Sequence, residues 1–361
     1  MVEFALLFGL ITAGAEPVGD IKAVVDPLVE PLTKDKPTVG LVVGIWVDGK
    51  PQIFGYGKVV TPAGEVEPDG RTLFEIGSIT KAFTGILLAD AVARKEVALD
   101  DPVNKHLPAD LHIHSKSDAP ITLLQLATHR SGLPVQPPLI GLTAKNKENP
   151  YADYTRDKLA RLTKELKPNR EPGEKYEYSN LGAGLLGHAL ANAAKADSYD
   201  ALVRDRICKP LGLKDTGEAL TGGQKSRLAR GRNAKLELTD PWDFATLEAC
   251  GGLRSTGDDM LRFAAANFGE VKSPLLDVLK TSQEKRSTAG SDAVDIGLGW
   301  HRLKLKNGDP IIWHNGGTGG FRSMVAFTPT TKCAVVVLCA ASLGADVDKL
   351  TLNVLKELQP K

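Results

Sequence analysis

Ser78-Ile79-Thr80-Lys81 stands immediately before a long apolar-periodic run. Residues three apart on a helix are neighbours, so this spacing brings a hydroxyl and an amine together. The pair has the composition of a nucleophile beside its base. An ordinary serine hydroxyl is too weakly acidic to attack a carbonyl at neutral pH, and an ordinary lysine is protonated. Both need tuning. A helix start set in an apolar cleft would desolvate Lys81 and lower its pKa until it could accept the serine proton. The same four-residue pattern occurs at solvated helix starts, so it gains meaning only from companions elsewhere in the chain.

Two companions are present. Tyr178-Ser179-Asn180 follows the turn-forming Glu171-Pro172-Gly173-Glu174 and precedes a small-residue helix, so it reads as a loop. A tyrosine near a lysine can pass protons, and an asparagine amide can both donate to and accept from a substrate amide. The third piece, His314-Asn315-Gly316-Gly317-Thr318-Gly319-Gly320, follows the β-type stretch Ile311-Ile312-Trp313. Its glycines allow another backbone to approach closely.

With these three pieces the chain resembles the serine β-lactamase and penicillin-binding superfamily, most closely the class C β-lactamases with their DD-peptidase and family VIII esterase relatives. The likeness runs from about Val39 to Leu358. It includes Leu73-Phe74-Glu75-Ile76-Gly77-Ser78, Leu123 to His129 followed by Ser131-Gly132-Leu133-Pro134, Gly251 to Thr256, and Thr318-Gly319-Gly320-Phe321. The resemblance implies Ser78, Lys81 and Tyr178 as catalytic residues and an oxyanion hole made by the Ser78 and Gly317 backbone N–H groups. Which of Lys81 and Tyr178 is the base stays open. Asn180 and Gln136 match positions that hold the substrate's side-chain amide, although Gln136 also reads as an exposed loop residue. Two departures stand out. Ser179 replaces the alanine of Tyr-Ala-Asn, and His314-Asn315-Gly316 replaces Lys-Thr-Gly. The second exchanges a permanent ammonium for an imidazole that is mostly neutral at pH 7. His314 would then bind a substrate carboxylate when protonated or hydrogen-bond Tyr178 when neutral.

Composition fits an ordinary enzyme. The 361 residues are 42% apolar, enough for a large core, and 45 basic against 44 acidic residues leave a net charge of +1. No long like-charge run points to nucleic acid or an anionic membrane, and the partner is a small-molecule or peptide substrate with a scissile amide or ester. The cysteines, Cys208, Cys250, Cys333 and Cys339, show no C-x-x-C pair and no histidine at ligand spacing, so neither a metal site nor a cofactor is indicated. They read as buried small hydrophobes. Residues 1–15 hold an apolar stretch, Phe4 to Ile11, and an Ala13-Gly14-Ala15 exit resembling a secretory cleavage site, although Glu3 stands where a basic residue belongs. Export to the periplasm or medium is the expectation.

These residues need elements to hold them. Thr38 to Val47 and Gln52 to Gly57 read as strands joined by an Asp48-Gly49 hairpin turn. Helical spacing marks Thr80 to Lys95, Thr122 to Thr128, Arg156 to Leu166, Leu181 to Ala194, Tyr199 to Ile207 and Asp258 to Phe268. Gly297 to Leu305, Ile311 to Trp313, Ser323 to Phe327 and Cys333 to Leu338 read as strands, and Val347, Leu350, Val354 and Leu358 form the stripe of a closing helix. The expected fold is α+β: an antiparallel sheet flanked by helices, built from residues 16–75 and 285–361, with a mainly helical domain, residues 76–284, inserted between. A carboxylesterase and a penicillin-binding sensor that acylates without turnover are the alternatives to a β-lactam or D-Ala peptide hydrolase.

Overall fold

The computed structural model describes residues 20–168, 170–305 and 308–359; the expected leader, residues 1–15, lies outside them. The strands are β1 (Leu41–Val47), β2 (Lys50–Tyr56), β3 (Val59–Thr61), β4 (Gly64–Val66), β5 (Leu73–Glu75), β6 (Arg254–Thr256), β7 (Ser287–Ser291), β8 (Val294–Ile296), β9 (His301–Lys304), β10 (Pro310–Gly317), β11 (Arg322–Thr328) and β12 (Cys333–Cys339). Eight of them form one sheet in the order β2-β1-β12-β11-β10-β9-β8-β7, antiparallel throughout. The first strand therefore pairs with the last, as expected, and the two chain ends share a sheet. Asp48 and Gly49 both take positive φ, 51° and 72°, which is what a type I′ turn between right-twisted strands requires.

Period-two alternation sends successive side chains to opposite faces, and both faces of the central strands are buried. Leu41, Val43, Ile45, Val335 and Val337 pack under the helices Ile21–Thr33 and Ala345–Glu357. Val42, Val325, Val336 and Leu338 face the larger core, and Leu261 of the helix Gly257–Asn267 sits over Gly44. The helix Thr80–Ala93 is buried from Thr80 through Ala91. A helix apolar on all sides belongs inside, and this one is enclosed by Asn180–Ala193, Leu276–Gln283 and the short turn Ala245–Cys250.

Two sequence-based boundaries shift. The strand expected over Gly297 to Leu305 begins only at His301, because Gly297 and Gly299 form a turn in which Gly299, φ 72°, lies against the Lys81 carbonyl. The strand expected to stop at Trp313 runs on to Gly317, since Gly316 and Gly317 pair with Ser323 and Arg322 of β11. Its other neighbour, β9, stops at the pair His301–Trp313, so among the described residues no strand pairs with β10 from His314 to Gly317 on that side. All four cysteines are free and buried, as expected for small hydrophobes.

Candidate active site

Strand β5 delivers the chain to Gly77, φ 50°, and a single tight turn, Gly77–Ile79, opens the buried helix. The turn lies against β10. A methyl group on Gly77 would fall 2.7 Å from the Gly317 nitrogen, and one on Gly316 would fall 2.0 Å from the Ile76 carbonyl oxygen. Ser323 Oγ donates to that carbonyl at 2.8 Å and fastens the two elements. Glycine at both places lets the Ser78 turn touch the strand edge, which brings the Gly317 nitrogen against Gly77, the residue before Ser78. Ser78 is partly exposed between the buried Gly77 and Ile79.

Lys81 follows one turn later. Its ammonium nitrogen lies 3.0 Å from Ser78 Oγ, 2.5 Å from the Cys250 carbonyl oxygen and 4.7 Å from the centre of the Tyr178 ring. The side chain is buried, and desolvation pulls its pKa down to about 8, with the Cys250 site opposing. Both of these hydrogen-bond partners are neutral, so neither restores the charged form as a carboxylate would. The Cys250 carbonyl is held there because β6, which follows Gly251-Gly252-Leu253, pairs with β5.

Tyr178 arrives on the loop before the helix Asn180–Ala193. Glu177 N–H donates to the His129 carbonyl at 2.7 Å, and Ser179 N–H donates to His129 Nδ1 at 3.1 Å. Ser179 explains its own presence: its hydroxyl accepts from Gly182 N–H at 2.9 Å as the helix N-cap and donates to the Pro134 carbonyl at 2.7 Å. The Tyr178 phenol hydrogen-bonds Ser78, yet burial dominates and raises its pKa well above the usual value. Tyr178 is thus a protonated donor in the resting site. Asn180 Nδ2 donates to the Tyr151 hydroxyl at 3.1 Å, while its Oδ1 is buried with no partner among the described residues.

Gln136 is not gathered in. Its neighbour Val135 accepts from Asn180 N–H at 2.7 Å, so the loop is anchored beside the site, but the Gln136 side chain is exposed on it. His314 is present but 99% buried, with Nδ1 2.6 Å from the Asn315 carbonyl and Nε2 without a partner among the described residues. Burial, then the fields of His301 and Lys81, hold its pKa well below the ordinary imidazole range. The protonated form in which His314 would grip a carboxylate is therefore disfavoured, and the hydrogen bond to Tyr178 expected of the neutral form is not made either, since Nδ1 turns to the Asn315 carbonyl.

Several residues near the site carried no signal of their own. His301 stacks on Trp313 at 4.6 Å, lies 5.2 Å from the His314 ring and takes Nε2 to the Tyr176 hydroxyl at 3.1 Å. Burial and the Lys81 charge lower its pKa to about 4. His129, 4.4 Å from the Tyr178 ring, is held neutral in the same way. Its place inside the Leu123-to-Pro134 motif was the available clue. Among the described residues no cluster of three His, Cys, Asp or Glu has metal-binding geometry.

A profile for the family described as Beta-lactamase matches residues 25–359. The chain belongs to the β-lactamase family. It is a serine hydrolase of that type, and its sheet and helices form the class C β-lactamase fold. It is similar to the D-alanyl-D-alanine-carboxypeptidase/endopeptidase AmpH of Escherichia coli strain K12, 31% identical over 312 residues that cover 82% of this chain and 78% of that one. A β-lactamase of the same strain is 31% identical over 377 residues, covering 94% of each chain. Among solved structures, a class C β-lactamase superposes with a TM-score of 0.83 at 25% identity, covering 94% of this chain and 97% of the other.

Proposed function

We propose that Ser78 forms an acyl-enzyme with the carbonyl of a β-lactam or a D-Ala-type peptide amide, and that water then releases the acyl group. The observation that carries this reading is the buried Lys81 amine 3.0 Å from Ser78 Oγ with its pKa drawn down to about 8. At pH 7.5 about a quarter of such an amine is neutral and able to take the serine proton. Lys81 is the base in this reading and Tyr178 the acid. A phenol whose pKa is raised cannot serve as a resting phenolate, but it can return a proton to the leaving nitrogen.

The tetrahedral oxyanion sits between the N–H groups of Ser78 and Gly317, fixed donors in a partly dehydrated cleft. Asn180 Oδ1, buried and unpartnered, accepts from the amide N–H of the substrate's acyl arm. The unpaired edge of β10 offers backbone groups for an extended substrate. Neither Gln136 nor His314 is given a substrate contact in this scheme. A carboxylesterase on the same scaffold is less well supported, because the relatives matched over most of the chain are named as a β-lactamase and a D-alanyl-D-alanine-carboxypeptidase/endopeptidase. An exported location, periplasmic or secreted, belongs to the same proposal and is supported by the apolar Phe4 to Ile11 stretch.

The test is covalent trapping. Incubation with benzylpenicillin followed by intact mass and peptide mapping should locate a single adduct on Ser78, absent from Ser78→Ala. An adduct on another residue, or its persistence in the variant, overturns the assignment.

A further inference from the structure

Tyr178 reaches Ser78 from a stretch, residues 176–179, that belongs to no helix or strand, so its aim depends on what holds the backbone on either side. One residue takes the N–H group on each side. Glu177 N–H donates to the His129 carbonyl at 2.7 Å, and Ser179 N–H donates to His129 Nδ1 at 3.1 Å. The His129 ring then lies beside the Tyr178 ring, 4.4 Å between centres and tilted by 38°. The phenol is thereby held at both flanking peptides and along its ring.

His129 stands where the local geometry asks for glycine. The helix Leu123–Ala127 ends in a Schellman turn: His129 N–H donates to the Leu126 carbonyl at 3.3 Å, and Arg130 N–H donates to the Gln125 carbonyl at 2.8 Å. The residue at that bend has φ 56°, a left-handed conformation that a Cβ makes costly. An imidazole kept there against the backbone's preference points to a task for the ring. That task needs a bare Nδ1. Burial, then the fields of Lys81 and His301, keep the ring neutral, and because Nδ1 accepts from Ser179 the ring proton sits on Nε2.

From this placement we infer that His129 is the positioning residue of the acid: it aims the Tyr178 hydroxyl at the leaving atom, so that expulsion of a strongly basic leaving group depends on His129 and expulsion of a weakly basic one does not. The inference rests on the acyl-enzyme reading above, with Tyr178 as proton donor, and adds the residue that holds that donor. His129 gives no proton itself. It acts through Tyr178, and a donor displaced by about 1 Å forfeits on the order of a hundredfold in rate, only where a proton is needed.

The p-nitrophenyl and ethyl esters of N-acetyl-D-alanine share an acyl group, and only the ethoxide needs a proton to leave. The ratio of their kcat/KM values, p-nitrophenyl over ethyl, therefore reads the acid. His129→Phe keeps a ring beside Tyr178 but removes the acceptor, and should raise that ratio about tenfold to a hundredfold over wild type. His129→Asn keeps an acceptor at the same remove from the backbone and tolerates positive φ, so its ratio should stay near the wild-type value. Should His129→Phe fail to fold, His129→Gly, which relaxes the bend, takes its place and should show the same raised ratio. In a Tyr178→Phe background, whose own ratio is raised, His129→Phe should raise it no further. Equal losses on both esters in His129→Phe, a ratio in His129→Asn as high as in His129→Phe, or a further rise in the double variant overturns the role of His129. A ratio unmoved by Tyr178→Phe, or no acylation of wild-type Ser78 by either ester, overturns the parent reading instead.

Discussion

If neutral Lys81 is the base, acylation should switch on with pH along the titration of that one amine. Burial draws its pKa from the ordinary 10.5 to about 8. The neutral fraction then rises from about 1% at pH 6 to about half at pH 8, a gain of roughly fiftyfold. An undisturbed lysine would be neutral to only about 0.03% at pH 7, some three-hundredfold less than the shifted one. Stopped-flow measurement of acylation by nitrocefin and by a neutral p-nitrophenyl ester, between pH 5.5 and 9.5, gives the limb directly. The logarithm of the rate should climb with unit slope and level near pH 8, for both substrates alike. An imidazolium at His314 that bound carboxylates would add an opposing limb near pH 6.5 for nitrocefin alone. A flat profile from pH 6 to 8, or a midpoint near 10, would refute Lys81 as the base.

The depressed Lys81 pKa also bears on stability. The unfolded chain holds that proton up to about pH 10.5 and the folded one only to about 8, so stability rises with pH between those values and the full penalty applies below 8. Lys81→Met should therefore abolish acylation yet raise unfolding free energy at pH 7 by up to about 3 kcal/mol, less the cost of leaving the Cys250 carbonyl unpaired, and the gain should vanish by pH 11 in urea titrations. Tyr178→Phe should cut kcat by about 10²–10⁴-fold with the fold intact, and the double variant with Lys81→Ala should lose far less than the product of the single losses; strict multiplicativity in steady-state kinetics would separate the two residues. Gly316→Ala should destabilise by about 1–3 kcal/mol, because its methyl group meets the Ile76 carbonyl at 2.0 Å, whereas Gly317→Ala, with Arg322 Nη1 at 3.3 Å as its nearest contact, should cost under about 1 kcal/mol; equal midpoints in thermal melts would contradict the close approach.

The helix that carries Lys81 was legible because its apolar residues keep a helical period, and Tyr178 to Asn180 because turn chemistry precedes a small-residue helix. His314 was legible as a residue and not as a charge. On β10 it shares a face with Gly316, and that face is pressed against the Ser78 turn, so its protonation was decided by packing that no local pattern encodes. The pairing of Arg322 with Asp348 was hidden for the same reason: it depends on the β10–β11 register and joins residues 26 apart in the chain. The opening helix Ile21–Thr33 escaped because Pro27 and Pro31 lie inside it. Spaced four apart, both prolines fall on the exposed side while Ile21, Val25 and Val29 supply the buried stripe.

The arrangement leaves little room for further positive charge beside Lys81. A lysine works as a base only while nothing nearby pays for its proton, and around Lys81 the nearest hydrogen-bond partners are a hydroxyl and a backbone carbonyl. His129, His301 and His314 stand close by, and the Lys81 field lowers the pKa of each, so a proton placed on any of them would be opposed by one on Lys81. A second ammonium at position 314 would face that same repulsion without water to relieve it. A neutral imidazole at that position avoids the conflict. Lys81 is then left, by burial and without a competing charge on the imidazole, to titrate at about 8. On the proposed mechanism, His314→Lys should therefore move the pH at which acylation begins, through the repulsion between the two ammonium groups, and an unchanged limb in the stopped-flow profile would refute that repulsion.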